Sequence, residues 1–168
     1  MNDRDLERLY DAHASGLFHY LVTFTKNEPD ARDLLQEIFI KLTRSKDEAV
    51  LQNEKSYVYR LAHNLAVDWL RRRKSRWNSE NRLQQEVLKD HHKAPDPDAV
   101  LLARHLADAL LTLPDEQRSL MQLKLWEGLT FEEIAEAQGI PLNTAASRYR
   151  YALAKLKTLL RPLYEELL

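Results

Sequence analysis

Apolar positions, with His13 counted among them, recur every three or four residues between Asp5 and Phe24, at Leu6, Leu9, Tyr10, His13, Leu17, Tyr20, Leu21 and Phe24. That spacing gathers them on one face of an amphipathic helix. Asn27, Pro29 and Asp30 break the run. Asp30 can then N-cap a second helix through Ala31, Leu34, Leu35, Ile38, Phe39 and Leu42. Residues 45–54 are polar and read as a loop, with Val50 and Leu51 as candidate anchors. A third helix starts near Asn53 or Ser56, carries Tyr57, Leu61, Leu65, Trp69 and Leu70, and exits into a basic run. Residues 77–94 are polar and ambiguous, although Leu83, Val87 and Leu88 could extend the helix. Pro95 and Pro97, two positions apart, cannot both sit inside a helix, so the chain is interrupted there.

Helical spacing resumes from Ala99 to Leu111 and stops before Leu113-Pro114. Asp115 can cap a helix through Leu120, Met121, Leu123 and Leu125, which Gly128 ends. Thr130 with Glu133 three residues on forms a capping box for a short helix to Gln138. Gly139-Ile140-Pro141 is a turn, and Asn143 can cap a last helix running to Leu160 before Pro162. No strand pattern emerges. The predicted fold is all-α, in two small helical domains over residues 1–76 and 99–168, joined by a linker over 77–98. Lobes of about 70 residues have thin cores, so each alone should be only modestly stable.

The segment from Thr130 to Tyr151 has the features of a helix-turn-helix: a small residue, Ala135, where two helices cross, a turn glycine, Gly139, and packing positions at Ile134, Ile140 and Ala145. On the second helix Ala145, Tyr149, Ala152, Leu153, Leu156 and Leu160 make an apolar stripe. Thr144, Ser147, Arg148 and Tyr151 lie on a neighbouring face, flanked by Arg150. They sit near the helix N-terminus, the end that enters a major groove, where Arg pairs with guanine edges or phosphate and Ser or Thr with either.

Net charge is −1 over 168 residues, so the total says nothing about nucleic acid, but the distribution does. Arg71, Arg72, Arg73, Lys74 and Arg76 form one basic run; Arg148, Arg150, Lys155, Lys157 and Arg161 form another, with no acid between Asn143 and Pro162. Two separated patches suggest two anion-binding surfaces. The chain has no cysteine, which excludes disulfides, zinc–thiolate sites and thiol catalysis. Its first residues lack a signal-peptide core, and no apolar run approaches the about 18 residues of a membrane span. A cytoplasmic protein without membrane insertion is the expectation.

Three motifs, in order, resemble the sigma-70 family of RNA polymerase sigma factors, and most closely its short two-domain extracytoplasmic-function group. Ala31-Arg32-Asp33-Leu34-Leu35-Gln36-Glu37-Ile38-Phe39 is similar to the family's A-x-D-L-x-Q-E-x-F helix. Tyr59-Arg60-Leu61-Ala62-His63-Asn64-Leu65-Ala66-Val67-Asp68-Trp69-Leu70-Arg71-Arg72 is similar to its Y-R-I-A-x-N-x-x-x-D-x-x-R-R helix, and Leu113-Pro114-Asp115-Glu116-Gln117-Arg118 to its L-P-x-x-x-R opening of the last domain. The resemblance implies a factor that binds core RNA polymerase, through its β′ and β subunits, and directs it to promoter DNA. Asp33, Leu34, Gln36, Glu37 and Phe39 then inherit docking on the β′ clamp helices, with Leu35 and Ile38 expected to be more buried and the polar members outward. Arg60, Asn64, Asp68, Arg71 and Arg72 inherit the −10 element and its unpaired strand, with Asn64 close to a flipped base. Melting needs a basic groove and a pocket for an unstacked base. Tyr57, Tyr59 and Trp69 could stack on bases, although such spacing more often places them in the core. Thr144, Ser147, Arg148, Arg150 and Tyr151 inherit the −35 element. Here the chain departs from the family's G-T-V-K-S-R-x-x-R-A: Ala146 replaces a basic residue and Tyr151 an arginine, so no promoter sequence transfers. Members are often held by an anti-sigma protein, a possible partner.

Other classes stay open on the residues alone. Asp33 and Glu37 on one helical face could bind a divalent ion, but no histidine pair stands at i,i+4 beside a third ligand, and no nucleophile or phosphate-loop motif occurs. No catalytic residue, metal ligand or cofactor is therefore assigned. A helix-turn-helix regulator acting without polymerase would explain the C-terminal lobe, but neither the Arg71–Arg76 run nor the Asp33–Phe39 surface. A module that binds polymerase without supporting transcription is the third reading.

Overall fold

The computed structural model describes residues 2–45, 52–77 and 97–167. Among these, all regular structure is helical. Helix α1 spans Asp3–Thr25, α2 Glu28–Arg44 and α3 Glu54–Trp77. Helix α4 spans Pro97–Leu111, α5 Asp115–Met121, α6 Phe131–Gln138 and α7 Leu142–Leu167, with a π-helical turn over Gln122–Trp126 after α5. The expected anchors Val50 and Leu51, and most of the expected linker, lie outside the described residues.

Local chemistry sets most boundaries. Asn2 caps α1 in a box with Asp5. Asn27, and not Asp30, caps α2: its side chain accepts from the Asp30 N–H at 2.8 Å and donates to the Asp30 carboxylate at 2.7 Å. Pro29 thereby falls in the first turn, where its missing N–H costs nothing. Pro97 opens α4 in the same way. Asp115 is the first residue of α5 and makes no capping bond, since Pro114 occupies the cap position. Helix α7 begins at Leu142, before the expected cap Asn143, and continues through Pro162 instead of stopping at Leu160. A proline inside a helix removes one hydrogen bond and kinks it, and that is tolerated here close to the end.

Helices α1, α2 and α3 pack against one another, and α4 and α5 each pack against α7. The C-terminal lobe has its own small cluster at Ala109, Leu113, Met121, Ala152 and Leu156. The larger core does not respect the lobes. Leu120, Leu123, Leu129, Ile134, Ala135, Ala137 and Ala145 of the C-terminal half form one continuous cluster with Leu17, Tyr20, Val58, Tyr59 and Ala62 of the N-terminal half. Helix α6 lies on α3, and α5 with its π turn lies on α1. Fully burying a residue such as Ile134 stabilises by about 1.5–3 kcal/mol, far more than an exposed ion pair, so apolar packing is what holds the halves together.

Candidate polymerase and nucleic-acid interfaces

Helix α2 splits the first group of expected site residues. Asp33 and Gln36 are exposed, and Glu37 is half-exposed and paired with Lys41 at 3.8 Å. Leu34 and Phe39 are buried along with Leu35 and Ile38, because the α2 stripe facing α1 and α3 needs all four. Phe39 nonetheless forms the floor of an outer patch, with its ring 4.9 Å from that of Tyr10. Tyr10 and Ile40 are each about half-exposed beside the polar residues. The sequence reading missed Ile40 as a surface residue; its signal was an isoleucine off the apolar stripe.

Helix α3 carries the second group on one face, since steps of three and four connect Arg60, Asn64, Asp68, Arg71 and Arg72. Asn64, Asp68, Arg71 and Arg72 are exposed. Asp68 pairs with Arg71 at 3.8 Å, and Arg72 Nε approaches the Asp68 carbonyl at 3.4 Å. Arg60 is half-buried over the Tyr57 ring and paired with Glu136 of α6 at 3.5 Å. Of the three aromatics, Tyr59 is fully buried in the core; Tyr57 and Trp69 are partly exposed, each under an arginine, with Arg73 5.0 Å above the Trp69 ring.

Behind that face is a polar cluster the sequence reading did not find. Gln138 Nε2 donates to the Tyr20 hydroxyl at 3.2 Å and to Ser119 Oγ at 3.1 Å. Tyr20 in turn lies 2.9 Å from His63 Nδ1. With the Gln138 amide donating to it, the Tyr20 hydroxyl has its own proton free for Nδ1, so His63 is neutral with its hydrogen on Nε2. Burial, and next the charge of Arg148, push the His63 pKa down to about 4. Burial raises the Tyr20 hydroxyl well above the usual tyrosine range, so it stays a proton donor.

The helix-turn-helix forms as its residues require. Thr130 and Glu133 complete the capping box. Gly139 adopts φ 63°, and the bonds from Gly139 N–H to the Glu136 carbonyl and from Ile140 N–H to the Ala135 carbonyl close the turn in a Schellman motif. Ala135 and Ala145 are buried where α6 meets α7, and Phe131 packs edge-on against Tyr149 at 5.3 Å. On the first turns of α7, Thr144, Ser147 and Arg148 are half-exposed, and Arg150 and Tyr151 exposed, with Tyr151 at 68%. Arg148 pairs with Glu116 at 3.2 Å, and Arg150 donates to Ser147 Oγ at 3.3 Å. Arg118 buttresses this lobe. Its guanidinium donates to the carbonyls of Leu110, Leu111, Leu113 and Thr23 at 2.7–3.1 Å, and to Asp115 at 3.3 Å. Among the described residues no group of three or more acidic or histidine side chains is placed to hold a metal ion, and no helix is long and apolar enough to cross a membrane.

Residues 9–76 match the family model described as sigma-70 region 2, and residues 103–156 that of sigma-70 region 4. RNA polymerase sigma factor SigV of Bacillus subtilis is 31% identical, over 86% of this chain and 84% of its own. The chain belongs to the extracytoplasmic-function group of the sigma-70 family. ECF RNA polymerase sigma factor SigE of Mycolicibacterium smegmatis is 29% identical over 90% of this chain, which spans only 60% of that relative's length. Among solved structures, sigma factor RpoE of Bartonella quintana, crystallised with the anti-sigma factor NepR, superposes with a TM-score of 0.73 over 94% of this chain and 98% of its own, at 18% identity. That likeness extends the sigma-factor fold across both lobes, and the region 2 and region 4 matches contain every residue singled out on α2, α3 and α7.

Proposed function

We propose that this chain is a sigma factor that binds core RNA polymerase and brings it to promoters with two DNA-reading lobes. The observation that carries the proposal is the solvent face of α3. Asn64, Asp68, Arg71 and Arg72 line one side of a helix that ends in a basic run, in the same chain as a fully formed helix-turn-helix. An isolated duplex reader has no use for the first surface; holding an unpaired strand requires it.

In this reading residues 1–76 form the polymerase-docking and −10 domain, 77–98 the linker and 99–168 the −35 domain. Asp33, Gln36 and Glu37 make the polar contacts to core polymerase, around an apolar centre of Tyr10 and Ile40. Leu34 and Phe39 support that surface from beneath, since they are buried. Asn64 receives an unstacked base; Arg60, Arg71 and Arg72 hold the strand's phosphates, and Asp68 orients Arg71. Arg148 and Arg150, with Thr144, Ser147 and Tyr151, read the −35 duplex. The chain positions DNA and catalyses nothing itself; phosphodiester chemistry belongs to the polymerase. It works in the cytoplasm, where its partners are. Since the structural relative is bound to an anti-sigma factor, a protein of that kind is a further partner to expect.

Size-exclusion chromatography with bacterial core polymerase tests the reading. The wild-type chain should co-elute, and folded Glu37→Lys should not. Failure of the wild type to co-elute, with tight binding of the free chain to duplex DNA, would move the assignment to a polymerase-independent regulator.

A further inference from the structure

Tyr151 is 68% exposed, more than any other large apolar side chain among the described residues. Helix geometry fixes where its ring stands on α7. At about 100° per residue, the buried Ala145, Ala152 and Leu156 share an arc of ~40°, and Tyr151 lies about 120° from the centre of that arc. Thr144 and Ser147 stand beside it, both half-exposed. Arg150 marks one edge of this outer face and Arg148 the other, ~160° apart by the same rotation. Each arginine is braced: Arg150 donates to Ser147 Oγ at 3.3 Å, and Arg148 pairs with Glu116 at 3.2 Å. The face therefore carries a phenol ring near its centre and a guanidinium on either side.

That order matters in a major groove. Cations at the edges of a recognition helix meet the phosphates that flank the groove, while its centre meets the edges of the base pairs. Those edges are mostly polar. Guanine offers O6 and N7, adenine N7 and its amino group, cytosine its amino group. A ring laid over any of these removes water without replacing its hydrogen bonds. The C5 methyl of thymine is the apolar feature of the groove floor, and an aromatic ring fits it. Tyr151 stands where the similar family motif has arginine, and a phenol cannot make the forked contact to guanine that a guanidinium makes.

We propose that Tyr151 reads a thymine methyl, so that the duplex element bound by α7 carries a T·A pair beneath its ring. The inference rests on the duplex-reading half of the sigma-factor proposal and does not depend on polymerase binding.

The test uses duplexes selected from a random library by core polymerase loaded with the full chain. Each is resynthesised with deoxyuridine in place of one thymine at a time, which keeps the base pair and removes one methyl. At a thymine of the −35 element the exchange should weaken wild-type binding about fourfold in fluorescence anisotropy, the worth of one buried methyl. Tyr151→Phe should keep that loss and Tyr151→Ala should abolish it, both with unchanged far-ultraviolet circular dichroism, since the side chain is exposed. Tyr151→Arg should select guanine in place of that thymine. Wild-type binding indifferent to every −35 exchange, or a loss that persists in Tyr151→Ala, would overturn the proposal. A chain that selects duplexes alone and never binds polymerase would refute the sigma-factor reading, and a methyl loss measured on that free chain would still uphold the role of Tyr151. A polymerase complex that selects promoters yet ignores the methyls would do the reverse.

Discussion

Acidification should destabilise this protein through one residue, His63. Its Nδ1 accepts the Tyr20 hydroxyl, its ring packs edge-on against Phe24 at 5.8 Å, and the charge that faces it is Arg148. Each of these favours the neutral ring. In the unfolded chain His63 takes a proton near pH 6.5, whereas in the folded chain it does so only near pH 4. Between those values the unfolded state binds more protons, so stability falls as pH falls through this window and levels off below it. At about 1.4 kcal/mol per tenfold change, the full loss is about 3 kcal/mol. That is a large share of the ~5–15 kcal/mol by which a domain is stable. Urea denaturation followed by circular dichroism at pH 7.5, 6.5, 5.5 and 4.5 would measure it, with His63→Gln alongside. The wild type should lose most of the ~3 kcal/mol across the series and the variant should lose much less over the same range. Equal losses in the two proteins would refute the assignment of a neutral His63.

Three further outcomes follow from the geometry. Arg118→Met should cost about 3–5 kcal/mol in the same assay, because the carbonyls of Leu110, Leu111, Leu113 and Thr23 lose a buried donor together; Arg118→Lys should rescue little, as an ammonium cannot fork to all of them. Arg150→Ala should weaken binding of the polymerase complex to duplex −35 DNA by ~1–3 kcal/mol, read by fluorescence anisotropy, if it contacts a base edge bidentately. Asn64→Ala should leave co-elution with polymerase intact but reduce permanganate reactivity of the −10 strand.

Helical spacing alone located the apolar stripes, because Leu17, Tyr20, Ile38, Leu65 and Leu156 recur at the period that burial demands. The capping box of Thr130 and the Gly139 turn were legible for the same reason: few residue types satisfy those backbone geometries. Boundaries were harder. Asn27 and Asp30 are both capping residues three positions apart, and only the three-dimensional bonds decide between them. The π turn after Met121 leaves no mark, since its altered hydrogen bonding needs no distinctive composition. Less legible still were the contacts between the two halves. Glu136 looks like an ordinary solvated acid in the sequence, and Gln138 like a helix-end polar residue. Their roles arise from contacts with Arg60 and Tyr20, in segments far away along the chain, which no local period records. Surface roles on α2 were partly hidden as well, because the family motif mixes buried Leu34 and Phe39 with exposed Asp33 and Gln36.

The most direct test of the central claim is reconstituted transcription. Core polymerase free of any sigma factor would be supplied with this chain and fragmented genomic DNA from the same organism, and the 5′ ends of the transcripts mapped. The account predicts discrete start sites preceded by shared −10 and −35 sequences, which disappear when the chain is omitted. Scattered ends indistinguishable from those of core polymerase alone, from a chain that co-elutes with the enzyme, would contradict it.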